Sequence, residues 1–268
     1  MAPLLEVAHL KKTFYLTPSF AQMSRLGLRK KALPILRDVS LTLQEGELYC
    51  LMGPNGAGKT TLLKILCGLV LPEEGTLRLS GKPFPLDHPF LRSAFGLVTG
   101  EERSFYWRLT GRQNLEFFSS FYPLSSHEAK RHIHRLSELF QMEEYLDKYF
   151  FTYSTGMKQC LGLCRCLLGN PKILLLDEPT RSLDPEASSE WRRFIRETLI
   201  GKERKTVLYT THHLDEAESF SSRIGILSQG RIVAEGDVKT LRKKIGLSEN
   251  EPLLRLFQKI TVESSYAS

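Results

Sequence analysis

The stretch ELYCLMGPNGAGKTTLLKIL, Glu47 to Leu66, decides the fold. Glu47 to Met52 is a short apolar run that reads as a buried strand, and Thr61 to Leu66 reads as a helix. Between them GPNGAGKT, Gly53 to Thr60, fits G-x-x-x-x-G-K-[ST] in the strand-then-helix setting that this pattern requires. Gly53, Gly56 and Gly58 free the backbone to take positive φ, so its N–H groups can wrap a polyphosphate. Pro54, Asn55, Ala57 and Thr61 complete the cradle, Lys59 reaches the outer phosphates, and Thr60 offers a hydroxyl to Mg²⁺. The competing explanation is a glycine-rich turn that matches by accident. At average residue usage such a match arises in roughly one chain in a hundred of this length, and the flanking strand and helix make accident a poor account.

A second stretch, YSTGMKQCLGLCRCLLGNPKILLLDEPTRSLD from Tyr153 to Asp184, carries two further parts. Ser154, Thr155 and Gly156 open a helix whose free N–H groups and positive dipole end can close over a phosphate held elsewhere. Leu174 to Glu178 is an apolar strand ending in two carboxylates. Asp177 is placed to hold Mg²⁺ directly or through water, and Glu178 can polarise an attacking water as general base. A solvated strand end is the plain alternative for adjacent acids, but it does not explain their company with a phosphate loop. His212 follows the strand Thr206 to Thr210, so it should emerge at the same sheet edge, where an imidazole can contact a γ-phosphate and sense its loss. His213 is its bland neighbour, and His132 and His134 in KRHIHR read as a solvated helix face.

Composition bounds the rest. The 268 residues are 41% hydrophobic and 25% charged, an ordinary globular balance with material for one sizeable core. The longest apolar run, Leu62 to Leu71, is interrupted by Lys64 and is too short to cross a bilayer, and the start of the chain lacks a secretory pattern. The expectation is a soluble cytoplasmic protein. Cys50, Cys67, Cys160, Cys164 and Cys166 lack the spacing of a disulfide framework or a zinc site and read as small buried core thiols.

Strand-like runs alternate with helices as a mostly parallel sheet requires. Leu4 to Leu10, Ile35 to Leu43 and Thr76 to Ser80 read as an early antiparallel layer. The core strands are Glu47 to Met52, Phe95 to Val98, Lys172 to Asp177, Thr206 to Thr210 and Arg223 to Ser228. From about Gly100 to Leu168 the pattern is helical only, with Asn114 to Phe121 and Ser126 to Phe140 the clearest segments, which predicts an inserted helical lobe. Asp184 and Pro185 start another helix, with Trp191, Phe194, Ile195 and Leu199 as its buried stripe. The predicted fold class is α/β, a P-loop NTPase core with a mostly parallel sheet, an N-terminal antiparallel β layer and the inserted lobe. Residues 1–236 form one ATPase domain with the lobe at about 100–168, and 237–268 form a C-terminal helical tail.

From about residue 4 to residue 261 the chain resembles the ATP-binding subunit of an ATP-binding cassette (ABC) transporter. GPNGAGKT resembles the family's phosphate loop, YSTGMKQ its signature motif, ILLLDEPT its Walker B strand, SLD (Ser182 to Asp184) its D-loop, and TTHHLDEAE (Thr210 to Glu218) its switch-histidine segment. The STGMKQ form and RLTGRQNLEFF (Arg108 to Phe118) look most like ATPases paired with ABC-2 type export permeases. The resemblance implies ATP and Mg²⁺ as ligands and Phe14 stacking on adenine, with Tyr15 the rival ring. It also places Ser154, Thr155, Gly156 and Asp184 at the nucleotide of a composite site. It implies a second ATPase subunit, as a homo- or heterodimer, and integral membrane permease subunits that hold the protein on the inner face of the cell membrane. No nucleic acid partner is expected. A soluble ABC protein acting on ribosomes or DNA is the rival, weakened by the single cassette and the lack of a long heptad segment; a non-hydrolysing regulator is opposed by the intact Lys59, Asp177, Glu178 and His212.

The chain departs from the family's pattern in places. Where a glutamine touching Mg²⁺ or the attacking water usually follows Phe95 to Val98, this sequence has Thr99-Gly100-Glu101-Glu102, and Glu101 is the substitute carboxylate. Thr155 stands where glycine is common and Cys160 where arginine is usual. In SFYWRLT, Ser104 to Thr110, the successive rings Phe105, Tyr106 and Trp107 cannot all face one core, so at least one should be exposed; the resemblance implies that this region receives a short helix of the permease, with Trp107 or Tyr106 as its anchor. Thr17 to Pro34 is an insertion with Arg25, Arg29, Lys30 and Lys31, most simply a solvated loop.

Overall fold

The structure, a computed structural model, describes residues 2–16, 31–86, 94–99 and 105–245. In chain order its elements begin with β1 (Leu5–Leu16), β2 (Lys31–Leu43), β3 (Leu48–Met52), α1 (Lys59–Leu66), β4 (Glu74–Leu79), β5 (Lys82–Pro83) and β6 (Phe95–Thr99). Helices α2 (Gly111–Ser119), α3 (Ser126–Leu139) and α4 (Thr155–Leu167) follow, then β7 (Ile173–Asp177) and α5 (Pro185–Phe194). A π-helical segment (Ile195–Lys202), β8 (Thr206–Thr211), α6 (Leu214–Phe220), β9 (Arg223–Ser228), β10 (Arg231–Gly236) and α7 (Val238–Ile245) complete it. Chain contacts divide these into two compact units, residues 1–91 with 211–268 and residues 92–210.

In the first unit the strands run in the order β5-β4-β1-β2-β10-β9-β3. β1 pairs antiparallel with β2 and β4, as the early layer predicts, while β3 lies parallel to β9. Every residue of β3 is buried, which is why ELYCLM reads as one apolar run rather than an alternation. β1 and β2 extend further than the sequence suggests, to Leu16 and from Lys31. Register shifts at Val7/Leu10, Leu10/Lys12 and Lys12/Thr13 break the two-residue alternation on which a sequence reading relies. β10, which the sequence does not announce, returns antiparallel to β9 through Gln229 and Gly230, both at positive φ.

A charged cluster ties this unit together. The Arg223 guanidinium bonds Glu47 at 2.7 and 3.1 Å and Glu235 at 3.1 Å, donates to the Thr42 carbonyl and lies 5.0 Å from the Tyr49 ring. Tyr49, fully buried, donates its hydroxyl to Glu235 at 3.0 Å. Burial first, and then the Glu235 carboxylate, push its pKa well above the usual phenol value, so it stays a donor.

The second unit carries β8, β7 and β6 in that order, all parallel, with Leu174, Leu175, Leu176, Val207, Leu208 and Tyr209 fully buried. Polar caps fix its helix starts: α3 and α5 begin where the sequence predicts, whereas α2 begins at Gly111, three residues before the predicted Asn114. Thr110 with Gln113 and Ser125 with Glu128 each form a reciprocal capping box at α2 and α3. Asp184 caps α5 with Pro185 in its first turn, and Trp191, Ile195 and Leu199 are buried below it. Phe194 is only half-buried. Asn114, fully buried, accepts from the Tyr106 N–H at 2.9 Å and donates to the Tyr106 carbonyl at 3.1 Å, which holds the aromatic segment in one path. Phe105 is buried and stacks on Phe150 at 4.8 Å, whereas Tyr106 and Trp107 are half exposed, at 49% and 50%. The five cysteines are free thiols, four of them buried. Burial pushes Cys160 up to about 11 and Cys166 up to about 12, so both are protonated and unreactive at neutral pH. Among the described residues no helix is long and apolar enough to cross a membrane.

Arg223→Ala should cost about 2–4 kcal/mol in urea unfolding, because it strands the largely buried Glu47 carboxylate without its cation. Unchanged stability would show that the cluster holds nothing together.

Candidate active site

The phosphate loop belongs to the first unit. Helix α1 is capped by Gly58 at φ 109, with no side-chain cap and no acidic residue in its first turn, so its N–H face is unshielded. Gly56 takes φ 81. Glycine is required at Gly58 for φ and at Gly53 for space: a Cβ on Gly53 would lie 2.3 Å from the Leu227 carbonyl oxygen. Lys59 is buried and folds back over the loop, its ammonium donating to the Gly53 carbonyl at 2.7 Å and the Pro54 carbonyl at 3.3 Å. Pro54, Asn55, Gly56 and Thr60 are exposed, Thr61 is half-buried and Ala57 packs inward, bonding its N–H to the Pro54 carbonyl at 3.2 Å.

The same unit carries the histidine pair. His212 and His213 are exposed, with ring centroids 4.1 Å apart. The turn beneath them is pinned by Thr211, whose hydroxyl accepts from the His213 N–H at 3.0 Å and donates to the buried Glu216 carboxyl at 2.7 Å. Phe14 and Tyr15 both expose their rings, at 39% and 62%; Phe14 faces Leu33 across the ladder, with the Lys12 ammonium 5.3 Å from its ring.

In the second unit Asp177 ends β7 and Glu178 is the next residue. Glu178 holds φ 47, a left-handed backbone that costs a non-glycine residue of order 1–3 kcal/mol and that recurs at functional sites. Its N–H donates to the Thr210 hydroxyl at 3.0 Å, and that hydroxyl donates to Asp177 Oδ1 at 2.7 Å. The Arg181 guanidinium, largely exposed, lies 3.4 Å from Glu178 Oε2, too solvated to weigh much. Ser154 caps α4 by accepting from the Met157 N–H at 3.3 Å, and no acid occupies that helix's first turn. Thr155 and Gly156 are half exposed, and a Cβ on Gly156 would meet only Leu183 at 3.9 Å. Asp184 spends Oδ1 on the Ala187 N–H at 2.8 Å as the α5 cap. Glu101 lies outside the described residues.

The donors suited to Mg²⁺ are hard oxygens, the exposed Thr60 hydroxyl in one unit and the Asp177 carboxylate, turned by Thr210, in the other. Among the described residues no cluster of three or more His, Cys, Asp or Glu could hold a metal. Thr210, Thr211 and Glu216 were not singled out from the sequence. The available signal was two threonines ending an otherwise apolar strand, since buried hydroxyls need partners.

An α/β fold with a phosphate loop at one strand end and an acidic pair at another defines a P-loop ATPase. The chain belongs to the ABC transporter family, whose model matches residues 36–181. It is similar to the ABC transporter ATP-binding protein NatA of Bacillus subtilis (strain 168), 33% identical over 80% of this chain and 86% of that protein. It is also similar to the Nod factor export ATP-binding protein I of Burkholderia thailandensis, 39% identical over 77% of this chain and 67% of that one. Among solved structures, an ATP-binding subunit of an ABC transporter superposes with a TM-score of 0.74 at 29% identity, covering 96% of this chain and 99% of that one. The ATP-binding cassette MJ0796, in a dimeric post-hydrolysis state bound to ADP and Pi, superposes at 0.73 with 26% identity, covering 87% and 98%. The chain is the ATP-hydrolysing subunit of an ABC transporter, its ATPase coupled to transport.

Gly53→Ala should weaken ATP binding at least about tenfold, since the added Cβ must push the loop off the Leu227 carbonyl. Titration with a fluorescent ATP analogue measures it, and parental affinity would refute the packing constraint.

Proposed function

We propose that this chain is the motor of an ABC-2 type export system, working as a head-to-tail pair beneath separate membrane permease subunits. The relatives named for Nod factor export support the direction of transport. Gly156 carries the pairing: nothing among the described residues requires glycine there, because an alanine Cβ would make one ordinary contact. Such a glycine, in the first turn of a helix whose N–H groups no acid screens, leaves room for a phosphate brought by another molecule. In the pair, Ser154, Thr155 and Gly156 of one copy, with Asp184 beside them, close over ATP held by Gly53 to Thr61 of the other.

Lys59 and the loop N–H groups bind the β- and γ-phosphates, and Phe14 stacks on adenine. Bound Mg²⁺ would neutralise charge developing on the phosphates; Thr60, Asp177 and Glu101 would hold it. Glu178 accepts the proton of the attacking water, aimed by its left-handed backbone, while His212 contacts the γ-phosphate and registers its loss. The 1–236 ATPase domain with its lobe at about 100–168, and the 237–268 tail, are the organisation on which this rests.

The permease docks on the helical lobe. Tyr106 and Trp107 expose half their surface and belong to an aromatic field with Phe117, Phe121, Tyr149 and Phe151, all exposed, while Phe105 anchors the segment in the core. Large exposed rings beside Arg108 suit an interface anchor. Docking there holds the protein peripherally on the inner membrane face.

Glu178→Gln should bind ATP but lose turnover by at least about 100-fold and accumulate an ATP-dependent dimer, seen by size-exclusion chromatography. Near-parental turnover would remove Glu178 from the role of base. In an independent test, Tyr106→Ala with Trp107→Ala should keep the parent's thermal stability and ATP affinity but fail to co-purify with the permease. A fall in thermal stability instead would make the rings core residues.

A further inference from the structure

Thr210 sits inside β8 with no solvent exposure, and its hydroxyl has two neighbours that fix its orientation. An N–H can only donate, so at the Glu178 N–H, 3.0 Å away, the hydroxyl is the acceptor. Its own proton is therefore free for Asp177 Oδ1 at 2.7 Å. The β7–β8 register places Asp177 beside Thr210, which is how a strand 33 residues further along reaches this turn. Glu178 is the first residue beyond β7, where the ladder stops supplying partners, and its backbone has turned to φ 47. We infer that Thr210 is a positioning residue for hydrolysis: one hydroxyl sets the rotation of the Asp177 carboxylate and clamps the turn that aims Glu178. A valine would fill the same volume and remove both of these hydrogen bonds.

The inference rests on Glu178 acting as base, so the experiment separates the two. Turnover of the full chain is compared in Thr210→Val, Thr210→Ser, Glu178→Gln and the Thr210→Val/Glu178→Gln double variant. Thr210→Val should lower kcat by about 10- to 100-fold with KM for ATP within about threefold, and Thr210→Ser should recover most of it. The double variant should be far faster than the product of the two single losses, because aiming a base that is absent costs little. A second readout needs no turnover: the rise in unfolding temperature produced by ADP with Mg²⁺ over ADP with EDTA should shrink in Thr210→Val and return in Thr210→Ser. Parental kcat and parental Mg²⁺-dependent rise in Thr210→Val would overturn the inference. So would a Thr210→Ser variant as impaired as the valine, or a double variant that multiplies the losses. Should Thr210→Val fail to fold, Thr210→Ala against Thr210→Ser draws the same distinction. A fully active Glu178→Gln would instead strike the base assignment alone, and the Mg²⁺-dependent rise would then decide the role of Thr210 at Asp177.

Discussion

The chain after β3 must pass so close to β9 that no side chain fits between them, and the phosphate loop depends on that approach. Gly53 lies against the Leu227 carbonyl, and Gly58 begins α1 in a conformation that L-residues avoid. With the backbone so placed, the N–H groups at the start of α1 point outward together, and neither a capping side chain nor an acid competes for them. Lys59 adds a cation on the same turn, held by the loop's own carbonyls. Recognition of phosphate therefore comes from main chain whose path is set by packing, with one side chain supplying charge.

The end of β8 plays a comparable part through hydroxyls. Side chains alternate along a strand, so neighbouring threonines serve different groups. Thr210 bonds the acidic pair at the end of β7, and Thr211 bonds Glu216 and the turn that carries His212. Each threonine is buried, so its bonds to the adjoining turn are shielded from water. Catalytic groups on loops need such restraint, because a displacement of about 1 Å can cost a hundredfold in rate.

Much of the fold was legible. β3, β7 and β9 are buried strands and read as apolar runs, and α2, α3 and α5 begin at residues whose caps are visible in the sequence. The far half of the β1–β2 hairpin was not, since its bulges scramble the alternation, and β10 was not, since half-exposed residues line it from Arg231 to Gly236. Phe105, Tyr106 and Trp107 were legible as a set of which some must be exposed; that Phe105 is the buried one depends on Phe150, 45 positions later.

The sequence by itself determined the phosphate loop, the acidic pair, the helix start at Ser154 and the histidine after β8, because each is a contiguous motif whose spacing is its chemistry. The tertiary structure alone decided what holds those groups in place. Thr210 reaches Asp177 across 33 residues, and the same hydroxyl accepts the N–H of the left-handed Glu178. Such partners meet through strand register, and register is a property of the folded sheet that no local pattern encodes.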